Sequence, residues 1–201
     1  MGLVVFAVMG LYLLISIGVV KGAISYAREK GKSTRRWGWG AALVMYLIPF
    51  WDWIPTVAMH QYYCATEAGF WVYKTPEQWK KENPGVMETL VANKGTPSRD
   101  EKFDGGRGTT TTYFLNDRFS WRVKVNGPSF PNRWRHEQEL VDHKNGEVIA
   151  RYIDYSTAQG AYGLDWYGWK FWLLSGHCSG GERNVSLMRQ FKNNNVRGAE
   201  K

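Results

Sequence analysis

The stretch KGAISYAREKGKSTRR, residues 21–36, separates two apolar runs near the start of the chain. It carries six basic residues and one acidic residue, and therefore a net charge of +5. The basic residues are Lys21, Arg28, Lys30, Lys32, Arg35 and Arg36. Short loops rich in Lys and Arg stay on the cytoplasmic side of a membrane. The pattern predicts a two-helix transmembrane hairpin with a cytoplasmic loop and both chain ends on the outer face.

The two flanking runs are long and apolar enough for this interpretation. Residues 1–20 and 37–51 contain no charged side chain. A bilayer core is crossed by about 20 apolar helical residues. We predict spans over about residues 3–21 and 37–55, a hairpin unit over residues 1–58 and an extramembrane domain over residues 59–201. Pro49 lies inside the second span and predicts a kink near its outer end, because proline removes one backbone donor.

Two further features favour retained membrane helices. No basic residue precedes the first apolar run, whereas a cleaved signal peptide carries positive charge before its apolar stretch. Tryptophans begin and close the second run, and indole rings favour the headgroup region. These predicted membrane anchors are Trp37, Trp39, Trp51 and Trp53. A hairpin buried in a soluble protein would not explain their positions at both ends.

The charge of the chain argues against nucleic-acid binding. The net charge is +8, and the basic loop accounts for most of it. The segment after Pro55 carries about +4, scattered among acidic residues rather than forming a stripe that follows phosphates. Mean hydropathy is −0.42, which is polar for a membrane protein and predicts a sizeable extramembrane domain. The partners we expect are the lipid bilayer and another protein.

The extramembrane domain has the pattern of an α+β fold with an antiparallel sheet. Its clearest signal is a β-hairpin, residues 137–142 and 147–155, around the turn residues Asn145 and Gly146. Further strands are predicted over residues 70–73, 110–114, 118–125 and 169–174. Helices are predicted over residues 56–68, from the capping residue Thr75, and over residues 183–191. Residues 92–109 have the composition of a loop.

The chain has two cysteines, Cys64 and Cys178. In an oxidising compartment two such cysteines most often pair, and we predict a disulfide between them. Two separate buried thiols are the alternative if the domain faces the cytoplasm. His177 adjoins Cys178, but neighbours in a strand point apart, so adjacency does not make a reactive dyad.

No catalytic, metal or cofactor site is predicted. His60 and Cys64 have the i, i+4 spacing of two ligands on one helix face, with Glu67 one turn further. Structural zinc usually needs four ligands, and the remaining histidines are widely separated in sequence. The Ser179–Glu182 segment has the form of an anion-binding loop, but a plain turn that caps the following helix explains it more simply. The nucleophile-elbow, Walker A, zinc-protease and dinucleotide motifs do not occur in the chain.

Aromatic residues are concentrated among glycines between residues 160 and 172. Large rigid rings on a loop suit recognition, because they bury area at little cost in rotamer freedom. We predict that Tyr162, Trp166 and Tyr167 contact a partner. Packing in a small core, or insertion into the membrane surface, are alternatives for the same rings.

Three motifs of the chain resemble a group of proteobacterial two-pass inner-membrane proteins. They are WDWIP at residues 51–55, YCATEAG at 63–69 and VYKTP at 72–76. The group shares a W-D-x-I-P turn and a Y-C-x-x-E-A-G motif, and the likeness spans much of residues 51–178. It implies a bacterial inner-membrane setting, and it transfers no catalytic residue because the group has no assigned activity.

These patterns favour a non-catalytic accessory or assembly subunit, whose periplasmic domain binds another envelope component of a larger membrane complex. The alternative hypothesis is an envelope enzyme or small-ligand-binding protein that acts at the outer face of the inner membrane. A cleft with strongly shifted carboxylate pKa values beside Glu67 or His60 would favour the alternative.

Overall fold

A computed structural model of the chain describes residues 2–130, 133–157, 176–178 and 180–196. The helices are α1 Gly2–Glu29, α2 Thr34–Phe50, α3 Trp53–Thr66, α4 Pro76–Glu82 and α5 Gly181–Asn195. The strands are β1 Gly69–Val72, β2 Ser98–Phe103, β3 Gly108–Phe114, β4 Phe119–Ser129, β5 Arg133–Asp142 and β6 Glu147–Ser156. The chain forms two compact units: the first contains Met1–Pro55 and the second begins at Thr56.

The first unit contains an N-terminal helix, α1, whose Phe6–Glu29 segment is long and apolar enough to cross a membrane. This helix continues past the predicted boundary at Lys21, and the connection to α2 is only residues 30–33. The predicted basic loop over residues 21–36 is therefore mostly helical. Gly31 ends α1 with a positive φ of 63°, and the N–H of Lys32 donates to the carbonyl of Ala27. This is a Schellman-type end, which glycine permits without strain.

Helices α1 and α2 pack against each other within this unit. Gly38 lies so close to α1 that an added Cβ would sit 3.1 Å from Cγ1 of Ile24. Farther along, the hydroxyl of Tyr12 donates to the backbone carbonyl of Met45. Met45 is four residues before Pro49, and proline has no N–H to give that carbonyl. Tyr12 therefore supplies the donor that the proline removes from α2.

Tyr12→Phe should destabilise the packing of α1 on α2 by about 1 kcal/mol, because it leaves the Met45 carbonyl without this donor. The effect should largely disappear in a Pro49→Ala background, where α2 can satisfy the carbonyl itself. A double-mutant cycle on the full-length protein, unfolded by SDS titration in mixed micelles, measures the coupling. Equal effects of Tyr12→Phe in both backgrounds would contradict this account of Pro49.

Helix α2 and helix α3 are separated by a break after Phe50 and differ in direction by 54°. Helix α2 ends one residue beyond Pro49, where the sequence predicts a kink. Taken together, α2 and α3 are long and apolar enough to cross a membrane, whereas neither helix is by itself.

The second unit is an α+β domain built on a six-stranded antiparallel sheet, as predicted. The strand order is β1-β6-β5-β4-β3-β2. The prediction of a loop over residues 92–109 is wrong in part, since Ser98–Phe103 forms β2 at one edge of the sheet. All six residues of β2 are exposed, which explains why the segment lacks the hydrophobic alternation of a half-buried strand.

One face of the sheet carries the apolar core. Side chains from β4, β5 and β6 pack there against α4 and α5, and large buried members of this core are Trp79, Phe119, Leu140, Tyr152 and Met188. Helix α4 begins with the predicted Thr75 cap, which forms a capping box with Gln78. It places Trp79 so that the indole Nε1 donates to Asp142 over 2.9 Å.

The other face carries a lattice of ion pairs around two acids of β5. Glu139 is only 2% exposed and lies 2.6 Å from Arg151 Nη2 and 2.8 Å from Lys124 Nζ. Glu137 contacts Arg135 and Arg151. Burial raises the pKa of Glu139, but hydrogen bonds from Lys124 and Arg151 more than offset it, so the pKa lies below its usual value. The lattice explains why neither face of the predicted hairpin has a cleanly polar or apolar pattern.

Candidate functional site

Three consecutive residues near the end of β6 each contact a different histidine. Asp154 Oδ2 lies 2.5 Å from Nδ1 of His177. The backbone carbonyl of Tyr155 lies 3.2 Å from Nε2 of His60, and Ser156 Oγ lies 3.0 Å from Nε2 of His136. Three of the four histidines of the chain, which are far apart in sequence, therefore meet at one end of the sheet. We call this region the β6 end.

The pairing of β5 with β6 places His136 directly opposite Asp154. Residues directly opposite each other in an antiparallel pair share a face, and so do alternate residues of one strand. Asp154, Ser156 and His136 are therefore on one face, while the Tyr155 side chain is on the other. The rings of His136 and His177 meet edge to face, with their centroids 5.5 Å apart.

The Asp154 carboxylate holds the segment 176–178 against β6. It is 2% exposed, and its Oδ1 accepts the backbone N–H groups of Cys178 at 3.0 Å and of Tyr155 at 2.9 Å. Helix α5 begins directly beside it at Gly181, where an added Cβ would lie 3.3 Å from Asp154 Oδ2. Burial, together with the charge of Asp154, raises the pKa of Tyr152, whose hydroxyl donates to the Gly181 carbonyl.

The His177–Asp154 pair has the geometry of an oriented imidazole. A carboxylate on Nδ1 fixes the ring, and the side chain of His177 is 59% exposed. The Ser156 hydroxyl, however, contacts the ring of His136 rather than that of His177. The carboxylate and the hydroxyl therefore belong to two separate dyads, and the four side chains do not form a serine–histidine–aspartate triad.

The pKa of His136 lies below its ordinary value of 6.5 because burial disfavours the charged ring, and a charge on His177 acts in the same direction. The unfolded chain then binds more protons than the native domain once pH falls through about 6.5, so His136 reduces stability on the acid side. We expect His136→Gln to lose less stability than the wild type between about pH 7 and pH 5. Urea unfolding at both pH values, repeated in a His177→Gln background, measures the difference. If His136→Gln left the pH dependence of stability unchanged in both the wild-type and the His177→Gln backgrounds, His136 would not be the source of the acid-side loss.

Glu67, the acid that the sequence places near His60, serves to hold α3 on the sheet. It accepts a hydrogen bond from the hydroxyl of Tyr155. Tyr155 is buried, and burial together with the bond to Glu67 raises its pKa to about 12. The Tyr63 ring packs on Tyr155 at 5.1 Å, and the guanidinium of Arg133 lies 3.9 Å from the centre of the Tyr63 ring.

The predicted pairing of the cysteines is confirmed. Cys64 on α3 and Cys178 form a disulfide with a Cα–Cα distance of 5.3 Å. The two residues are 114 positions apart, so the bond closes most of the second unit into one covalent loop. Cys178 is buried, and its sulfur contacts the Tyr155 carbonyl, which places the bond within the β6 end.

The other predicted site residues are distributed as follows. Tyr162, Trp166 and Tyr167 lie outside the described residues, as does the predicted strand over residues 169–174. The four predicted membrane anchors are all exposed: Trp37 and Trp39 lie near the start of α2, and Trp51 and Trp53 lie at the break between α2 and α3. Of the basic residues, Lys21 and Arg28 belong to α1, Arg35 and Arg36 belong to α2, and Lys30 and Lys32 lie between the helices.

Sequence reasoning missed the meeting of His136 with Asp154, because the hairpin turn by itself indicates a different register for the two strands. The hairpin turn at Asn145 and Gly146 fixes which residues of the two strands face each other. Counting back from the pair Asp142–Glu147 without interruption would set His136 opposite Ile153. A shift of register between Leu140 and Val141 moves the pairing by one residue and sets it opposite Asp154 instead.

Comparisons of the chain with protein-family models, with curated proteins and with solved structures found no match.

Proposed function

We propose that the chain is a two-pass protein of the bacterial inner membrane, with both termini outside and the sheet domain in the periplasm. Helix α1 supplies one span, and α2 with the start of α3 supplies a bent second span. The six basic residues that lie at or near the short connection between α1 and α2 would keep that end in the cytoplasm.

The surface of the first unit supports insertion into lipid. Large apolar side chains of α1 are widely exposed, among them Phe6 at 80% and Leu14 at 68%. A groove of about 720 Å³ between α1 and α2 is lined mainly by apolar groups, including Leu13, Ile17 and Phe50. Soluble monomers rarely expose an apolar surface of this extent. The bond from Tyr12 to the Met45 carbonyl also fits hydrocarbon, where each unsatisfied backbone group is costly.

The disulfide supports the periplasmic side for the second unit. Disulfides persist in the periplasm and are rare in the cytosol, where thiols are kept reduced. The bond between Cys64 and Cys178 is therefore consistent with the orientation that the basic residues favour.

For this domain we propose the role of a non-catalytic accessory subunit that binds another envelope protein. The observation that carries this role is the edge strand β1. Among the described strands β1 has a single neighbour, β6, and the run Trp71, Val72 and Tyr73 is exposed at 38%, 41% and 56%. Exposed apolar edge strands are templates for pairing with an extended segment of another chain. The predicted contacts of Tyr162, Trp166 and Tyr167 remain a second part of the proposal.

Purification of the tagged protein from native membranes in mild detergent tests this role. We expect a companion protein to purify with the tagged chain in a stoichiometric amount. The double variant Val72→Lys with Tyr73→Lys should no longer bind this companion, because binding would remove two lysine charges from water. Glu101→Lys, which introduces the same side chain on the opposite edge strand β2, is the matched control and should retain the companion. A double variant that keeps the companion, with an intact disulfide and wild-type unfolding, would contradict binding through β1.

The aromatic segment has its own test. Trp166→Ala with Tyr167→Ala should release the companion while leaving the domain folded, because two rigid rings are removed from the predicted contact. Unchanged association of this variant would remove these rings from the interface.

A second candidate function is an envelope enzyme or a small-ligand-binding protein. The oriented imidazole of His177 beside Asp154 is the observation that favours it. A protein that purifies alone from native membranes, and whose ligand-dependent rise in Tm is abolished by His177→Gln, would replace the accessory role with this one.

A further inference from the structure

Three possible metal-ligand atoms lie close together at the β6 end, and they belong to His60, Cys64 and Cys178. One ring nitrogen and the two sulfurs all lie within 4.8 Å of one another. His60 and Cys64 are one turn apart on the same side of α3, with His60 Nδ1 3.8 Å and Nε2 3.5 Å from the Cys64 sulfur. Cys178 lies in the segment 176–178, and its backbone N–H donates to the Asp154 carboxylate. No other group of this kind occurs among the described residues.

We propose that the reduced form of this group is a zinc site. Two thiolates and one imidazole form a ligand set that Zn²⁺ favours, and three protein ligands leave a fourth position for water. Two thiolates also balance the charge of the ion. In the disulfide form the sulfurs are bonded to each other and are not thiolate ligands. The cysteine pair therefore has two mutually exclusive states, a disulfide and a zinc thiolate.

The two states are connected by a balanced exchange. A dithiol reductant gives two electrons and two protons to the Cys64–Cys178 bond and itself becomes a disulfide. Zn²⁺ then displaces one proton from each thiol, and both protons pass to solvent. His60 binds through the lone pair of a ring nitrogen.

The surroundings of His60 suit a ligand role. The Tyr155 carbonyl lies 3.2 Å from Nε2, so a proton on Nε2 makes that nitrogen the donor and leaves the lone pair on Nδ1 for the metal. Metal-binding histidines commonly donate their second N–H to a carbonyl or carboxylate, which fixes the ring. The Cys178 sulfur is buried within the same end of the sheet, and its backbone N–H is already bound to Asp154.

Cobalt binding to the full-length protein in mild detergent tests the site. After reduction by a phosphine, we expect one Co²⁺ per chain, with the sulfur-to-cobalt charge-transfer and visible bands of a tetrahedral thiolate site, displaced by Zn²⁺. His60→Gln should weaken binding at least about tenfold, and Cys64→Ser should abolish the charge-transfer band. His143→Gln is the matched control, since His143 stacks on Phe114 away from this group. Absent bands, or His60→Gln binding equal to that of the wild type, would overturn the proposal.

The rate of disulfide formation gives a second readout. Zn²⁺ should slow oxidation of the reduced wild type by oxidised glutathione, and it should protect His60→Gln much less. If reduction alone unfolds the domain, Zn²⁺ should restore its near-UV circular dichroism, because metal binding then drives folding. A reduced protein whose oxidation rate and folding are both insensitive to Zn²⁺ would equally overturn the zinc site. Neither readout depends on the companion protein.

Discussion

Replacing Cys64 and Cys178 together with alanine should lower the free energy of unfolding of the sheet domain by up to about 4–5 kcal/mol. The bond joins residues 114 positions apart, and the entropy that a cross-link removes from the unfolded chain grows with the length of the loop. It also ties α3 to the segment after β6. Urea titration of the full-length protein in mild detergent, followed by tryptophan fluorescence, measures the loss.

The reduced wild-type protein is the control for this double variant, since it lacks the bond but keeps both sulfurs. The two should unfold at similar urea concentrations in the absence of added metal. A double variant as stable as the oxidised wild type would show that the bond contributes nothing to the domain.

Asp142→Ala should cost about 3–5 kcal/mol, the range for removing one partner of a buried ion pair. Asp142 is fully buried and accepts hydrogen bonds from Arg118 Nε at 2.7 Å, Trp79 Nε1 at 2.9 Å and the Lys144 backbone at 3.0 Å. The variant leaves the guanidinium of Arg118, whose side chain is only 13% exposed, without its counter-charge. The same urea titration measures the effect.

Asp142→Asn refines the Asp142 experiment, because it keeps an acceptor for Trp79 and removes only the charge. Its loss should be smaller than that of Asp142→Ala. Glu101→Ala is the surface control: Glu101 pairs with Arg99 at 3.1 Å, both side chains are well exposed, and the change should stay within about 1 kcal/mol. Equal losses for Asp142→Ala and Glu101→Ala would contradict the central role given to this buried carboxylate.

The stability that the Asp142 hydrogen bonds contribute also depends on pH. Burial raises the pKa of Asp142, but the bonds from Arg118 and Trp79 more than offset it, and the pKa lies below its usual value. The stability that Asp142 contributes is fully present above the pKa of this carboxyl in the unfolded chain. It is lost as the pH falls through the lower pKa that the carboxyl has in the folded domain. The histidine effect at His136 begins at higher pH, so the two losses on acidification are separable.

The α+β class, the hairpin at Asn145 and Gly146, and the Thr75 cap could be predicted because each depends on a local pattern. Turn chemistry and capping act within four residues, so the sequence carries them directly. Strand β2 was missed because an edge strand with every residue exposed has no apolar alternation to recognise.

The histidine contacts of the β6 end could not be predicted, because they depend on a one-residue shift between β5 and β6. The pairing of Tyr12 with the Met45 carbonyl is similar. Pro49 indicates that a carbonyl loses its helical donor, but only the packing of α1 on α2 shows which side chain replaces it. Contacts across elements require the register and the packing, whereas the sequence pattern gives the elements themselves.

The placement of the sheet domain outside the inner membrane is tested most directly by single added cysteines in a protein that keeps its disulfide. Ser98→Cys lies on exposed β2, and Ser33→Cys lies in the exposed connection between α1 and α2. With a membrane-impermeant maleimide on intact spheroplasts, we expect Ser98→Cys to be labelled and Ser33→Cys to be labelled only after the membrane is opened. Labelling of Ser33→Cys in intact spheroplasts with protection of Ser98→Cys would contradict the account.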